Sequence, residues 1–233
     1  MWNGKMKAVT FSYDDGVLQD RRLVEIFNKY GLKCTFNLNS GIMSEANFWE
    51  RGGVEIHRMN AAGLTELYKG HEIAVHCLTH ASLTAFSDDT VRNEILLDKE
   101  NLQRMFGYEI EGMAYPYGAF DDRVIRIVGE CGIKYARTTR STCGAATPSH
   151  LLTLDAAMHH DDPKAFEYIE EFIALDPAKM TEPKMLYIWG HSYEFDVNNN
   201  WNHIEEICRL VSGRDDIFYG TNKEVLKPYY GET

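Results

Sequence analysis

The chain has 233 residues, a formal net charge of −11 at pH 7, 44% hydrophobic residues and 25% charged residues. This composition is ordinary for a globular protein that buries a substantial core. The negative charge repels phosphate backbones and anionic lipid surfaces, so neither nucleic acid nor a membrane is expected as a partner.

The cysteines and the apolar segments predict a cytoplasmic protein. The five cysteines are scattered and form no Cys-x-x-Cys pair, which disfavours a disulfide framework and a thiolate zinc site. No apolar run is as long as a membrane span, and the first residues lack the pattern of a secretory signal. Reduced thiols suit a reducing compartment. The sequence carries no signal for an oligomeric state.

Apolar segments that fit buried strands alternate along the chain with amphipathic segments that fit helices. Strands are predicted at 8–13, 34–39, 72–76, 112–115, 135–139, 151–158, 185–189 and 217–219. Helices are predicted at 20–29, 61–69, 89–106, 121–131, 163–174 and 203–211. A longer loop is expected between the second strand and the second helix.

These strands are too apolar to face water on either side, which is typical of a parallel sheet with helices over both faces. Seven or eight strand–helix units in one chain favour a closed barrel over an open sheet. No linker or internal repeat divides the sequence, so we predict a single α/β domain over residues 1–233.

Reactive side chains follow four of the predicted strands, where active sites of such barrels lie. The strand ends carry Asp14-Asp15-Gly16, His76 with His80, Tyr115-Pro116-Tyr117 and His191. Two imidazoles four residues apart share one side of a helical turn, and a nearby carboxylate would complete three ligands. Catalytic zinc sites hold three protein ligands and leave a position open.

Each of these motifs has an ordinary structural alternative when it is taken alone. Asp and Gly are common in turns that end a strand, and His191 could be a core histidine bonded to a backbone carbonyl. His159 and His160 form another pair at a strand end, but no partner residue is evident for them. Agreement between four strand ends favours a metal-dependent hydrolase.

Taken together, four segments resemble the polysaccharide deacetylase family, also called carbohydrate esterase family four or the NodB-homology domain. Phe11 to Gly16 (FSYDDG) is similar to the T-F-D-D-G motif, and His76 to His80 (HCLTH) is similar to H-[ST]-x-x-H, with Cys77 as a departure. Ala114 to Gly118 (AYPYG) resembles R-x-P-Y, and Ile188 to His191 (IWGH) resembles L-x-H. The resemblance implies a distorted TIM-like (β/α)7 barrel.

The resemblance also implies roles for individual residues. The metal would be held by Asp15, His76 and His80. Asp14 would be the general base, the backbone N–H of Tyr117 an oxyanion donor, and His191 the general acid. Zinc is favoured by this ligand set, which also accepts Co2+, Ni2+ or Mn2+.

Two departures from the family pattern affect the expected site. Ala114 replaces the arginine that contacts the base in the family, and either Arg137 or Arg140 is a candidate substitute. The D-x-x-D-W motif has no match, which predicts a different substrate groove. Candidate substrate contacts are Tyr115, Pro116, Trp189, Tyr193, Arg137 and Arg140.

The leading hypothesis is hydrolysis of an N-acetyl group on a sugar, an oligosaccharide or a related small molecule. A second hypothesis keeps the metal site and changes the bond, giving an O-acetyl esterase or a hydrolase of non-sugar amides or ureides. A third is a carbohydrate-binding protein that has lost catalysis.

Overall fold

The computed structural model describes residues 1–231 of the protein. Its strands, in chain order, are β1 (Lys7–Asp14), β2 (Cys34–Leu38), β3 (Phe48–Arg51), β4 (Val54–His57), β5 (Glu72–Val75), β6 (Gly112–Ala114), β7 (Tyr135–Ser141), β8 (Leu154–Ala156), β9 (Met158–His159), β10 (Lys184–Gly190) and β11 (Ile217–Tyr219). Its α-helices are α1 (Asp20–Lys29), α2 (Leu64–Leu67), α3 (Asp88–Phe106), α4 (Asp122–Glu130), α5 (Ala165–Ala174), α6 (Glu194–Val197), α7 (Trp201–Val211) and α8 (Asn222–Tyr230).

Nine of these strands form one sheet, in the order β8-β7-β6-β5-β2-β1-β10-β9, with β11 beside the first half of β1. Every pairing within this sheet is parallel. The carboxyl ends of these strands therefore lie at one rim, and side chains distant in sequence meet there. The predicted α/β fold with a parallel sheet is confirmed.

The two edge strands of the sheet, β8 and β9, are consecutive and separated only by Ala157. The Ala157 N–H donates to the carbonyl of Tyr187 in β10, while its own carbonyl accepts from Gly144, which follows β7. The chain thus passes from one edge of the sheet to the other, and the sheet curls around its interior.

Burial explains why these segments form these elements. All eight residues of β1 and all five of β2 are buried, as expected for strands covered on both faces. Helix α1 buries Leu23, Val24, Ile26 and Phe27 against the sheet. Each such large apolar side chain stabilises the fold by about 1.5–3 kcal/mol when it is fully buried.

The structure corrects several predicted elements. The loop after β2 contains the antiparallel hairpin β3–β4, which the sequence did not predict. The helix expected at 61–69 is the single turn α2, and the strand expected at 151–158 is divided into β8 and β9. Helix α8 was also not predicted, although Thr221 and Glu224 form a capping box at its start.

Candidate active site

A cleft of about 250 Å³ opens at the carboxyl rim of the sheet. It is lined by Asp14, Asp15, His76, His80, Tyr115, Tyr117, Thr139, Trp189, His191 and Tyr193. Four separate strands, β1, β5, β6 and β10, end at this cleft and contribute these side chains, except for Thr139, which lies in β7. The parallel topology therefore brings together the residues that the sequence placed at the strand ends.

Asp15, His76 and His80 form a compact group whose ligand atoms all lie within 4.8 Å of one another. Oδ1 of Asp15 is 3.5 Å from Nε2 of His80 and 4.0 Å from Nε2 of His76. Tetrahedral coordination at zinc distances separates neighbouring ligand atoms by roughly 3.3 Å. Small side-chain movements thus suffice for the three groups to share one cation.

The hydrogen bonding of His76 favours metal binding. Its Nδ1 lies 2.8 Å from the carbonyl oxygen of Ala114, which can only accept, so Nδ1 carries the proton and Nε2 presents a lone pair to Asp15. Burial lowers the pKa of His76, and it lowers that of His80 to about 4. Both imidazoles are therefore neutral near pH 7, the state that a metal requires.

The segment that carries His76 and His80 is a loop, so the helical turn assumed for it from the sequence is wrong. Cys77 and His80 both have positive φ, 64° and 60°. Asp15 and Tyr117 also have positive φ, 84° and 58°. Such backbone conformations cost non-glycine residues energy and persist where the surrounding structure enforces them, often at functional sites.

Asp14 is buried and held between two side chains. Arg137, from β7, forms an ion pair with Oδ2, and Nδ2 of Asn37 donates to Oδ1 at 2.7 Å. Burial acts to raise the pKa of Asp14, but the charges of Arg137, His76 and His191 outweigh it and lower this pKa to about 2. Asp14 is therefore ionised at neutral pH.

Of the two arginines considered as substitutes for the residue missing at Ala114, Arg137 is the one that reaches Asp14. Its guanidinium is 1% exposed and also lies over the ring of Trp189 at 4.2 Å. Arg140 is exposed and pairs with Asp155 at 2.9 Å, outside the cleft. Strand β7 is four positions from β1 in the sheet order, yet Arg137 lies next to Asp14 because the sheet is curved.

Arg58, which follows the β3–β4 hairpin, contacts the carboxylate group of Asp15 and was not identified from the sequence. Its guanidinium donates to the backbone carbonyl of Asp15 at 2.5 Å and lies 3.3 Å from Oδ1. It also donates to Oδ1 of Asn39 at 2.8 Å. Nothing in the local pattern around Arg58 signals this contact, because it depends on how the hairpin folds onto the rim.

His191 places its Nε2 4.0 Å from carboxylate oxygens of both Asp14 and Asp15. The other ring nitrogen, Nδ1, lies 3.3 Å from Oε2 of Glu194, another residue that the sequence did not single out. Burial acts to lower the pKa of His191, but Glu194 and the two aspartates outweigh it and raise this pKa. His191 is therefore well suited to carry a proton at the cleft.

His159 and His160 do have partners in the structure. Together with Asp161 and Glu194 they form a second group whose ligand atoms lie within 4.8 Å of one another. The Asp161 backbone N–H donates to Nδ1 of His159 at 3.2 Å, so the ring proton of neutral His159 is on Nε2. That nitrogen lies 3.1 Å from Glu194 and acts as a donor to it, which is unsuitable for a metal ligand.

Aromatic side chains surround the outer part of the site. Trp189 and Tyr193 are largely buried in its wall, whereas Tyr117 is 71% exposed at its mouth. A second cavity of about 290 Å³ adjoins the first and is lined by Asp15, Trp49, Arg58, His80, Tyr117 and Tyr193. Tyr115 is buried, with its hydroxyl donating to the carbonyl of Leu152, and Pro116 is buried at the start of the following turn.

Comparison with known proteins identifies the class. Residues 3–136, more than half of the chain, match the family described as polysaccharide deacetylase, and the protein belongs to that family. The resemblance to this family is thereby confirmed, and three of its four segments lie within the matched residues.

Individual relatives are more distant. Chitin deacetylase 1 of Cryptococcus neoformans var. grubii is 25% identical over 138 residues, which cover 58% of this chain and 26% of that enzyme. Among solved structures, the Xyl-CE4 domain of a multidomain xylanase from the hindgut metagenome of Trinervitermes trinervoides has a TM-score of 0.58. It is 16% identical, over 97% of this chain and 92% of that one.

Two further structures show the same fold. The family 4 carbohydrate esterase from Streptomyces lividans has a TM-score of 0.57 and 13% identity, over 93% of each chain. The Streptococcus pyogenes deacetylase PplD has a TM-score of 0.54 and 23% identity, over 62% of this chain and 61% of that one. Within residues 1–231, no helix has both the length and the apolar character needed to cross a bilayer.

Proposed function

We propose that the protein is a metal-dependent hydrolase that removes an N-acetyl group from a carbohydrate, and that residues 1–233 form one catalytic domain. The observation that supports this most directly is the meeting of Asp14, Asp15, His76, His80 and His191 around one cleft. These five side chains supply the metal ligands, the base and the acid of the proposed reaction.

Asp15, His76 and His80 would hold the cation, most suitably Zn2+, with Co2+, Ni2+ or Mn2+ as alternatives. When bound, the cation polarises the acyl carbonyl and makes a water molecule more acidic. Asp14 is ionised and accepts the proton of the attacking water, while Arg137 and Asn37 fix its orientation.

The remaining steps use His191 and the backbone at Tyr117. The leaving nitrogen of an amide is too basic to depart as an anion, so His191 protonates it through Nε2, which faces the two aspartates. The backbone N–H of Tyr117 stabilises the oxyanion of the tetrahedral intermediate. The exposed ring of Tyr117 and that of Trp49 offer an apolar face to a sugar at the mouth of the cleft.

The test measures acetate release from N-acetylated chitooligosaccharides by the purified protein with added zinc, cobalt or nickel. Asp14→Asn and His191→Ala should each lower kcat by at least about 100-fold, because general acid–base groups contribute roughly 10²–10⁴-fold. Asp216→Asn is the matched control, since Asp216 also pairs with a buried cation, Lys7, at the opposite end of β1.

The outcomes separate the three hypotheses. Acetate release from amides that depends on the metal supports the proposal. Turnover of O-acetyl esters alone, or of non-sugar amides alone, would replace the assigned substrate. Sugar binding without turnover under any of these metals would show a binding protein on the same fold.

A further inference from the structure

Glu194 contacts more groups around the candidate site than any role assigned so far explains. Its Oε2 lies 3.1 Å from Nε2 of His159, 3.3 Å from Nδ1 of His191 and 3.2 Å from the backbone nitrogen of His191. Its Oε1 lies 3.3 Å from the guanidinium of Arg51, on the β3–β4 hairpin. The Glu194 side chain is 9% exposed, so its carboxylate is largely shielded from water, whereas the Arg51 side chain is 52% exposed.

A carboxylate in this position favours one tautomer of His191. Nδ1 of His191 is buried and makes no hydrogen bond within residues 1–231, although Oε2 of Glu194 lies 3.3 Å from it. Because ionised Glu194 can only accept, a small rotation of the ring with the proton on Nδ1 completes a hydrogen bond between them. In neutral His191 the lone pair is then on Nε2, which faces Asp14 and Asp15 at 4.0 Å. A proton that reaches Nε2 can therefore be passed to a group bound in the cleft, as a general acid requires.

The other neighbours hold Glu194 in place. His159 donates to it through Nε2, because the Asp161 backbone N–H occupies its Nδ1. His160 places its Nε2 3.5 Å from Oε2 of Glu194, and its ring is fully buried between those of Tyr13 and Phe195, at centroid distances of 5.6 and 4.3 Å. These contacts restrict the position of the carboxylate, so it does not move freely with the ring of His191.

We propose that Glu194 is the positioning residue that fixes the tautomer and ring orientation of His191 for proton donation to the leaving group. This inference rests on the proposed function, which makes His191 the general acid. The Nδ1–Oε2 separation of 3.3 Å exceeds the about 2.7–2.9 Å typical of such charged pairs. Catalytic hydrogen bonds are often long before substrate binds and shorten in the complex.

The first experiment needs neither activity nor a variant of Glu194. Long-range ¹H–¹⁵N correlation spectra of the metal-free protein, recorded at alkaline pH where the imidazole is neutral, report the tautomer of each histidine. The His191 signals are assigned by their absence in His191→Ala. A proton on Nδ1 and none on Nε2 supports the proposal, and the opposite tautomer overturns it, whether or not the protein deacetylates any substrate.

The second experiment separates positioning from a general structural role. Glu194→Leu removes the acceptor, whereas Glu194→Gln keeps an amide oxygen that can accept from Nδ1. For amide substrates, Glu194→Leu should lower kcat by about 10–100-fold, as loss of an orienting partner commonly does. KM should change little, and Glu194→Gln should retain more activity than Glu194→Leu.

An aryl acetate serves as the discriminating substrate, because its leaving phenolate departs without a proton. Hydrolysis of p-nitrophenyl acetate should be nearly unchanged in Glu194→Leu if the residue acts through the general acid. Glu111→Leu is the matched control, since Glu111 is also 9% exposed and binds lysines far from the cleft. Its amide turnover should equal that of the wild type.

Three results would overturn the proposal. An equal loss of amide and aryl ester turnover in Glu194→Leu would indicate damage to the metal site or the fold. An unchanged His191 tautomer in that variant would show that Glu194 does not set it. Two metal equivalents per chain, with one lost in Glu194→Leu, would make His160, Asp161 and Glu194 a second metal site.

Discussion

Replacing Arg137 by methionine tests whether Arg137 has taken over the ion pair with Asp14, the proposed base, from the arginine that the family pattern has at the position of Ala114. Arg137 and Asp14 are 1% and 3% exposed, and methionine has no charge to offer Asp14. Breaking a buried pair by removing one partner costs about 3–5 kcal/mol, because the other charge is left buried and uncompensated. We expect Arg137→Met to lower the free energy of unfolding by that amount.

The measurement is urea unfolding followed by tryptophan fluorescence, with Arg209→Met as the control. Arg209 pairs with Glu206 on the surface, where the side chains are 58% and 44% exposed, so its loss should cost at most about 1 kcal/mol. Adding Asp14→Asn to Arg137→Met should recover part of the stability, with a coupling energy of about 1–3 kcal/mol as is usual for neighbouring groups. An Arg137→Met cost no larger than that of Arg209→Met would refute the reasoning.

The pH dependence of the same pair has a defined sign. The pKa of Asp14 falls from 3.8 to about 2 on folding, so the unfolded chain binds a proton before the native one as the pH decreases. The stabilisation is therefore fully present above about pH 4 and is lost as the pH falls towards 2. A shift of this size corresponds to about 2 kcal/mol, at about 1.4 kcal/mol per pKa unit. In Arg137→Met the pKa of Asp14 should rise and this acid-side dependence should disappear.

Three further changes test the rest of the site. Loss of a hydrogen-bond partner behind a metal ligand weakens metal binding by about 10–100-fold. His80→Ala removes a proposed ligand itself, so it should weaken zinc binding by more than this when binding is measured by calorimetry. His57→Ala, on the hairpin, should not weaken it. Gly118→Ala should destabilise the protein by about 1–3 kcal/mol more than Gly213→Ala. Both glycines have positive φ, but only at Gly118 would the new Cβ collide with Thr139, 2.2 Å from its Oγ1; equal costs would contradict this contact. Tyr117→Ala should raise KM for chitooligosaccharides and leave kcat and stability nearly unchanged, because the ring is 71% exposed and the oxyanion donor is backbone; a large fall in kcat would argue against that assignment.

The second cavity, lined in part by Trp49, Arg58 and Tyr193, illustrates a limit of local sequence reasoning. Trp49 and Arg58 lie in a stretch expected to be a loop, where the alternation that marks a half-buried strand is weak. The hairpin β3–β4 places Trp49 edge-on against Tyr193, at a ring distance of 5.5 Å, and this long-range contact specifies its position. The helix α8 is a different case, since the Thr221-x-x-Glu224 capping box was visible in the sequence.

The sequence by itself determined the parallel α/β fold and the family. Runs of apolar residues identified the strands, and the reactive residues directly after them are specified by short motifs that do not depend on packing. These motifs predicted that Asp14, Asp15, His76, His80 and His191 lie at one rim, which is where the structure places them.

Only the tertiary structure decided which charged groups surround those residues. Arg137 reaches Asp14 because the sheet curls and brings β7 opposite β1, and Arg58 reaches Asp15 because the hairpin folds over the rim. Glu194 is only three residues from His191, yet its contacts with His159 and Arg51 come from separate parts of the chain. Short motifs specify the reacting side chains. The charged residues around those side chains are positioned by long-range packing, which leaves no local pattern in the sequence.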